Sequence, residues 1–181
     1  MTDQLHFTDS DAANELLVRE PMALLIGFAL DQQVTVQKAF SGPLVLRERL
    51  GTLDAATIAG ADLDPIFRER PAIHRFPGAM AQRVHDLAVH IVETYDGDAG
   101  RVWGEDITPD ELKRRLYALP GYGEMKVNSL IAVLARRFGV AAALPLVPSH
   151  RTLGDVDSPA ALAEYQAGKR AHKAALRAAK A

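Results

Sequence analysis

Residues 119–126, LPGYGEMK, have the composition of a tight turn that can bind an anion through its backbone. Pro120 ends one helix, and the two glycines permit a positive φ and close approach of the backbone. A new helix begins at once, so its free N–H groups and positive dipole end point out of the turn, where a phosphate is stabilised. On spacing alone, a helical hairpin without any ligand is an equally good interpretation.

Two helical patterns position this turn. Upstream, TPDE at 108–111 reads as a capping box with proline at the first helical position, followed by leucines at 112, 116 and 119. Downstream, apolar residues recur at 127, 130, 131 and 134, and Gly139 is a plausible stop. The sequence therefore predicts a helix, a turn and a second helix over residues 108–139.

The rest of the chain also reads as helices. Residues 21–30 form an apolar segment with proline at its start, residues 35–40 and 43–50 predict two short helices broken at 41–42, and a basic helix occupies 158–181. No strand alternation of useful length occurs. We therefore expect an all-α fold in which residues 1–181 form one domain.

Composition narrows the function classes. The 181 residues include no cysteine, which excludes disulfides, thiolate zinc sites and a cysteine-bound iron–sulfur cluster. No run of about 18 apolar residues appears, and the first residues are polar. We expect a cytoplasmic protein without a membrane partner.

The charge is unevenly distributed along the chain. The net charge is −2, but residues 1–100 hold 8 Lys/Arg against 15 Asp/Glu, whereas residues 101–181 hold 13 against 8. The basic half contains the predicted hairpin. The negative total charge argues against a nucleic-acid partner, but this asymmetry favours one. An ordinary solvated surface can show the same distribution of charge.

Three segments in order resemble the helix-hairpin-helix DNA glycosylase superfamily. LPGYGEMK at 119–126 is similar to its hairpin, LLIGFALDQQVT at 24–35 to its early helix and the turn after it, and FPGAMAQRV at 76–84, more weakly, to a short turn and helix. Together they span most of residues 20–150. The resemblance implies a two-lobed, all-α glycosylase-like fold, here without an iron–sulfur cluster.

The same resemblance implies base-excision DNA repair by a monofunctional DNA N-glycosylase that flips and excises a damaged base. Its partner would be double-stranded DNA with a damaged base or abasic site, bound by a nucleoid-associated monomer that requires no cofactor. The alternative is a non-catalytic DNA-binding protein that kept the hairpin but lost the catalytic acid. A helical interaction domain unrelated to DNA is a third hypothesis.

The family's hairpin holds a phosphate through backbone N–H groups. On this chain these fall on Gly121, Gly123 and the amides near Met125 or Lys126, with Tyr122 between them. An aspartate introduced at either glycine is expected to weaken DNA binding with little change in folding.

Further site residues follow from the resemblance. Relatives bind a monovalent cation, K⁺ or Na⁺, through hairpin carbonyls that correspond to Tyr117, Leu119 and Tyr122. The side chain matching Gln33 is inserted into the DNA near the extruded nucleotide, and His150 belongs to a matched segment beyond the hairpin and is an expected DNA contact.

Two chemical positions depart from the family pattern. Met125 stands where bifunctional relatives carry a nucleophilic lysine, which makes strand cleavage through a Schiff base doubtful. Lys126 lies one residue, or about 100°, further round the helix. It is a nucleophile only if the register differs, and otherwise a phosphate-binding or surface lysine.

The family's essential aspartate is the second departure. It lies in a segment whose match here is VPSH at 147–150, and Pro148 stands at the acid's position. In the family this carboxylate stabilises the cationic sugar formed as the base leaves, or activates water. Asp31, Asp155 and Asp157 are the alternatives that this sequence offers.

Overall fold

All regular structure in the described residues is helical. The computed structural model describes residues 2–104 and 106–181. It contains α1 (Asp11–Arg19), α2 (Pro21–Leu30), α3 (Val36–Leu50), α4 (Ala55–Gly60), α5 (Leu63–Arg68), α6 (Pro77–Tyr95), α7 (Pro109–Ala118), α8 (Glu124–Arg137) and α9 (Pro159–Lys180). Short 3₁₀ helices occupy Ala99–Trp103, Ala141–Leu146 and Leu153–Asp155. The prediction of an all-α fold is confirmed.

Helix α2 is the centre of the core. All nine residues from Met22 to Leu30 are buried, as expected for a helix that is apolar on every side. It packs against α1, α3 and α6. Gly27 allows the close approach to α3, because a Cβ there would lie 2.4 Å from a ring carbon of Phe40.

Helix α3 is continuous through residues 36–50, so the prediction of two helices broken at 41–42 is wrong. Pro43 lies inside the helix, and Thr35 caps its start by accepting a hydrogen bond from the Lys38 amide at 3.2 Å. The proline removes one backbone hydrogen bond. Packing against the core offsets this loss, since Gly42 and Pro43 are both buried.

Helices α7 and α8 form the helix–turn–helix predicted for residues 108–139. Thr108 caps α7 through a hydrogen bond from the Glu111 amide at 3.2 Å, with Pro109 at the first helical position. Leu112 and Leu116 are buried on α7, and the buried face of α8 begins at Val127. Amphipathic periodicity therefore predicted both helices correctly, and the Thr108 cap predicted the start of α7. The reciprocal half of the capping box is absent, because the Glu111 carboxylate accepts from Arg114 and Arg115 instead.

Helix α9 differs from the others in its exposure. Of its 22 residues only Leu162 is buried, and every residue from Ala167 onward is exposed. Ser158 caps its start by accepting a hydrogen bond from the Ala161 amide at 3.0 Å. The second half of α9 therefore depends on its alanine, lysine and arginine content for helicity, because these residues favour helix without packing.

No helix in the described part of the chain combines the length and the apolar character that crossing a membrane requires.

Candidate functional site

The turn between α7 and α8 has the geometry that its sequence predicts. The Tyr122 amide donates to the Leu119 carbonyl at 3.1 Å, which closes a four-residue turn around Pro120 and Gly121. Gly121 has φ +78°, the left-handed value that the third position of a type II turn requires. Gly123 then adopts extended backbone (φ −95°, ψ −175°) and stands at the N-cap of α8.

The N-terminus of α8 presents uncapped amide groups beside this turn. The first helical hydrogen bond runs from the Val127 amide to the Gly123 carbonyl at 3.0 Å, so the amides of residues 124–126 precede it. Gly123 has no side chain to cap them, and a Cβ built there meets no atom within 4 Å. Met125 is 80 % exposed. The site is therefore open to an anion, although the exposed Glu124 in the first turn opposes one.

Two side chains fasten the start of α8 to α2. The buried hydroxyl of Tyr122 donates to the Leu25 carbonyl, and the ammonium of Lys126 donates to the Ala29 carbonyl at 3.1 Å. Tyr122 therefore faces the core, and only its backbone can contribute to a ligand site. Lys126 is half-buried and committed to α2, which leaves it poorly placed as a surface phosphate contact.

A second turn follows the C-terminus of α2 and contains the exposed Gln33. His74 positions it: its Nε2 lies 3.0 Å from the Leu30 carbonyl and 3.1 Å from the Gln32 carbonyl. Its Nδ1 accepts from the Phe76 amide, so Nε2 carries the proton. Burial lowers the pKa of His74, which keeps the ring neutral near pH 7. Gln33 has φ +55°.

Arg83 joins the two turns. Its guanidinium donates to the side-chain oxygen of Gln32 at 2.7 Å. The same side chain lies against Gly121, where an added Cβ would approach three Arg83 atoms at 3.0–3.1 Å. The hairpin turn and the Gln33 turn are therefore neighbours on one side of the molecule, with a cation between them.

Asp31 is the predicted acid that this arrangement places in a cleft. It lies at the C-cap of α2, in a cleft of about 560 Å³ between the Gln33 turn and α9. Gln32, Gln33, Gln166 and Lys169 also line this cleft. Burial raises the pKa of the Asp31 carboxyl, against the opposing charges of Lys169 and Lys126.

Asp31 and Lys126 influence each other's protonation. Burial and the charge of Arg83 lower the pKa of Lys126 to about 8, and the Asp31 carboxylate partly opposes this shift. The two side chains and Arg83 form a partly buried charged group between α2, α6 and α8. Lys126 does not line the Asp31 cleft.

A second cleft lies on the other side of α9. It encloses about 690 Å³ between the start of α8, the segment around residue 150 and α9. Met125 and the exposed His150 line it together with Tyr165. Lys169 and Lys173 line both clefts, so α9 separates them.

The structure places the other two aspartates elsewhere. Asp155 accepts a hydrogen bond from the Thr152 amide at 2.8 Å and forms an ion pair with Arg136, so both its oxygens hold the turn after α8. Asp157 is exposed. Neither lines the clefts beside the hairpin. Asp155 therefore has a structural role, and its catalytic role stays a prediction.

The predicted cation ligands are partly engaged. The Leu119 carbonyl already accepts the Tyr122 amide within the turn, and Arg83 brings positive charge beside Gly121. Among residues 2–104 and 106–181, no cluster of three His, Asp or Glu side chains is suited to a metal. K⁺ or Na⁺ at Tyr117, Leu119 and Tyr122 stays a prediction of the resemblance.

Sequence reasoning missed Arg83, gave His74 no role, and placed Lys169 only in the basic helix at 158–181. Each acts through a contact with a distant segment, and no local pattern marks such a contact. The weak FPGAMAQRV match contains Arg83, which was the one available signal.

Comparisons of the chain with protein-family models, with curated proteins and with solved structures found no significant match.

Proposed function

We propose that the protein is a monofunctional DNA N-glycosylase of base-excision repair, with Asp31 as its acid. The observation that carries this proposal is the position of Asp31. Its carboxylate lies in a cleft between the Gln33 turn and α9, and Arg83 connects that turn to the hairpin turn. A carboxylate, an insertable side chain and an anion-binding turn thereby occupy one side of the molecule.

The hairpin supplies the phosphate contact. Uncapped amides at the start of α8 and the open N-cap Gly123 suit one phosphate of the lesion strand. Tyr122 and Lys126 fix this helix end relative to α2 through the Leu25 and Ala29 carbonyls. The distance between the phosphate and the acid is then set by packing rather than by a mobile loop.

The Gln33 turn supplies the side chain that fills the space left by an extruded base. Gln33 is exposed, while its neighbour Gln32 is held by Arg83 and by His74. Extrusion costs a few kcal/mol, and least for a damaged pair, which contributes selectivity. The Asp31 cleft, at about 560 Å³, is within the range of small-molecule sites and suits a nucleotide.

The chemistry requires one carboxylate and one water. As the N-glycosidic bond breaks, its electron pair leaves with the base, and ionised Asp31 stabilises the positive charge developing on the sugar. Asp31 then accepts a proton from the water that forms the new bond to the sugar carbon. That proton passes through solvent to the released base, which restores the Asp31 carboxylate. Burial raises the pKa of Asp31 and so makes its carboxylate a stronger base. Lys169 and Lys126 oppose this shift and favour the ionised form at neutral pH.

We also propose that the fold is a two-lobed, helix-hairpin-helix glycosylase-like fold. Two features support it: α7 and α8 pair around the Pro-Gly turn, and this hairpin is attached to α2. In this interpretation the polypeptide between α2 and α6 belongs to one lobe and the hairpin to the other. The Asp31 cleft is lined by residues 31–36 of the first lobe and by α9.

The test is base release from duplexes that each carry one lesion: an alkylated purine, uracil, 8-oxoguanine or an oxidised pyrimidine. Alkali after incubation reveals abasic sites. We expect release from at least one duplex, and a loss of at least a hundredfold in the single-turnover rate for Asp31→Asn, with duplex affinity retained. Asp157→Asn is the matched control and keeps the wild-type rate.

Each contrary result has a definite meaning. Release that survives Asp31→Asn would disprove the role of Asp31. No release from any duplex, with tight binding to an abasic-site analogue, would replace the glycosylase by the non-catalytic DNA-binding protein.

A further inference from the structure

The exposed part of α9 carries its positive charges on one side. After Glu164, the helix contains five lysines and arginines and no acid. They are Lys169, Arg170, Lys173, Arg177 and Lys180. At about 100° of rotation per residue, all five fall within an arc of about 100°, over a length of about 16 Å. We call this set the basic stripe.

The basic stripe begins at the candidate site. Lys169 and Lys173 line both clefts, and Arg170 lines the Asp31 cleft. Because the stripe is a single face of one helix, its distal members, Arg177 and Lys180, continue along the same side, beyond the clefts. The stripe therefore extends outward from the region that contains Asp31 and the start of α8.

The charges of the stripe are not paired within the described residues, although Lys169 is near enough to the Asp31 carboxylate to lower its pKa. None of the five cations forms an ion pair there, and all are exposed. Lys169, Lys173 and Arg177 follow one another at four-residue intervals, a spacing at which like charges repel. A polyanion lying along the stripe would remove this repulsion.

The residues outside the basic stripe indicate whether α9 would bind an anionic membrane or a nucleic acid. Helices that bind an anionic membrane surface bury tryptophan, phenylalanine or leucine opposite their basic face. In residues 167–181 seven of the ten other positions are alanine, and Leu176 is the one large apolar residue. The helix therefore offers charge without an apolar face, which suits the phosphate backbone of a nucleic acid.

We propose that the basic stripe of α9 is a second DNA-binding surface, which contacts the phosphate backbone of the duplex beyond the extruded nucleotide, without sequence or lesion preference. The inference rests on the proposed function, because the DNA that would bind the stripe is the DNA from which the enzyme would release a base. At one phosphate per 3.4 Å of each strand, a stripe of about 16 Å can lie along roughly five phosphates of one strand.

The experiment measures the affinity for an undamaged duplex as a function of salt. We expect Arg177→Ala/Lys180→Ala to reduce the slope of log Kd against log[salt] by about 0.9 for each phosphate contact removed. A matched variant carries Ala178→Arg and Ala179→Lys in addition to the two alanine substitutions. It restores both charges but places them on a different side of the helix from the stripe. It should behave like the neutralised variant. These positions lie outside both clefts, so the rate of base release at saturating protein should not change.

The outcomes separate this proposal from the proposed enzyme. An unchanged slope in the neutralised variant, or a wild-type slope in the turned variant, would overturn the stripe and leave the glycosylase intact. A reduced slope in both variants, with no base release by the wild type, would support the stripe and reject the enzyme. Binding to phosphatidylserine vesicles without binding to duplex DNA would overturn both.

Discussion

The hydroxyl of Tyr122 donates a hydrogen bond to the backbone carbonyl of Leu25, although 97 residues separate them. Tyr122 lies two residues before the start of α8, and Leu25 lies in the middle of the buried helix α2. The contact therefore determines where the hairpin begins relative to the core. Burial raises the pKa of Tyr122 well above its ordinary value, so the hydroxyl remains a donor throughout the working pH range.

Removing this hydroxyl should loosen the hairpin. We expect Tyr122→Phe to lower the free energy of unfolding by about 1 kcal/mol, the usual net value of one such hydrogen bond. Urea denaturation measures the change. Tyr117→Phe is the control, because Tyr117 lies on α7 with 41 % exposure and should lose nothing. Equal stability of all three proteins would show that the Tyr122 hydrogen bond contributes nothing to folding.

Position 123 allows the phosphate contact to be tested without damage to the fold. Gly123 has backbone angles typical of an N-cap and open space at its Cβ, so aspartate and asparagine should both raise stability by a few tenths of a kcal/mol. Gly123→Asp should nevertheless weaken duplex binding by roughly tenfold relative to Gly123→Asn, because a carboxylate would occupy the phosphate position. Equal affinities of the two variants would refute the phosphate site.

Position 121 is unsuitable for the same test, contrary to the expectation that both glycines tolerate aspartate. Gly121 has φ +78°, and a Cβ there would meet the Arg83 side chain at 3.0 Å. We expect Gly121→Ala to destabilise the protein by about 1 kcal/mol or more. A thermal melt that matches the wild type would contradict this conformational argument.

The ammonium of Lys126 should titrate with a pKa of about 8. Carbon-13 shifts of the lysine ε-carbons measure it directly. Arg83→Gln should raise this pKa, because a neighbouring positive charge is removed, and Asp31→Asn should lower it further, because a negative charge is removed. Shifts of the same sign in both variants would be inconsistent with the charged group described here.

The same titration affects stability with a definite sign. Lys126 releases its proton near pH 8 in the folded state, whereas the unfolded chain releases it near the ordinary lysine value of about 10.4. Between these values the unfolded state binds more protons, so the contribution of this group to stability rises with pH. Lys126→Met should remove that rise. Urea denaturation at pH 7.5 and pH 9.5 compares the two proteins.

Asp155 and Asp157 should respond differently to substitution. Asp155→Asn removes the ion pair with Arg136 and weakens the bond from the Thr152 amide, at a cost of about 1 kcal/mol. Because Asp155 does not line either cleft, the single-turnover rate of base release should not change. Asp157→Asn should alter neither quantity. A lower rate of base release in Asp155→Asn, with wild-type stability, would identify Asp155 as a catalytic acid.

The parts of the fold that the sequence predicted well are those with local causes. The caps at Thr108 and Ser158 define the starts of α7 and α9, and the leucines of α7 define its buried face, without reference to other segments. The helix break predicted at 41–42 does not occur, because burial of Pro43 in the core stabilises a helix that local preferences would interrupt.

The candidate site was less predictable than the fold. The hairpin turn is encoded by consecutive residues, and both its hydrogen bond and the positive φ of Gly121 follow from Pro-Gly. Nothing local indicates that Arg83 spans two turns, or that Asp155 pairs with Arg136 while Asp31 lies in a cleft. Those distinctions arise from contacts between segments far apart in sequence.

The backbone of Gln33 adopts a left-handed conformation that glycine would occupy with less strain. Replacement by glycine should therefore make the protein more stable, since His74 already holds the neighbouring carbonyls of Leu30 and Gln32 in place. The natural sequence instead keeps a long, exposed amide in that turn. Position 33 is therefore not occupied by the residue that would be most stable there, and the more stable glycine variant would lack this exposed amide.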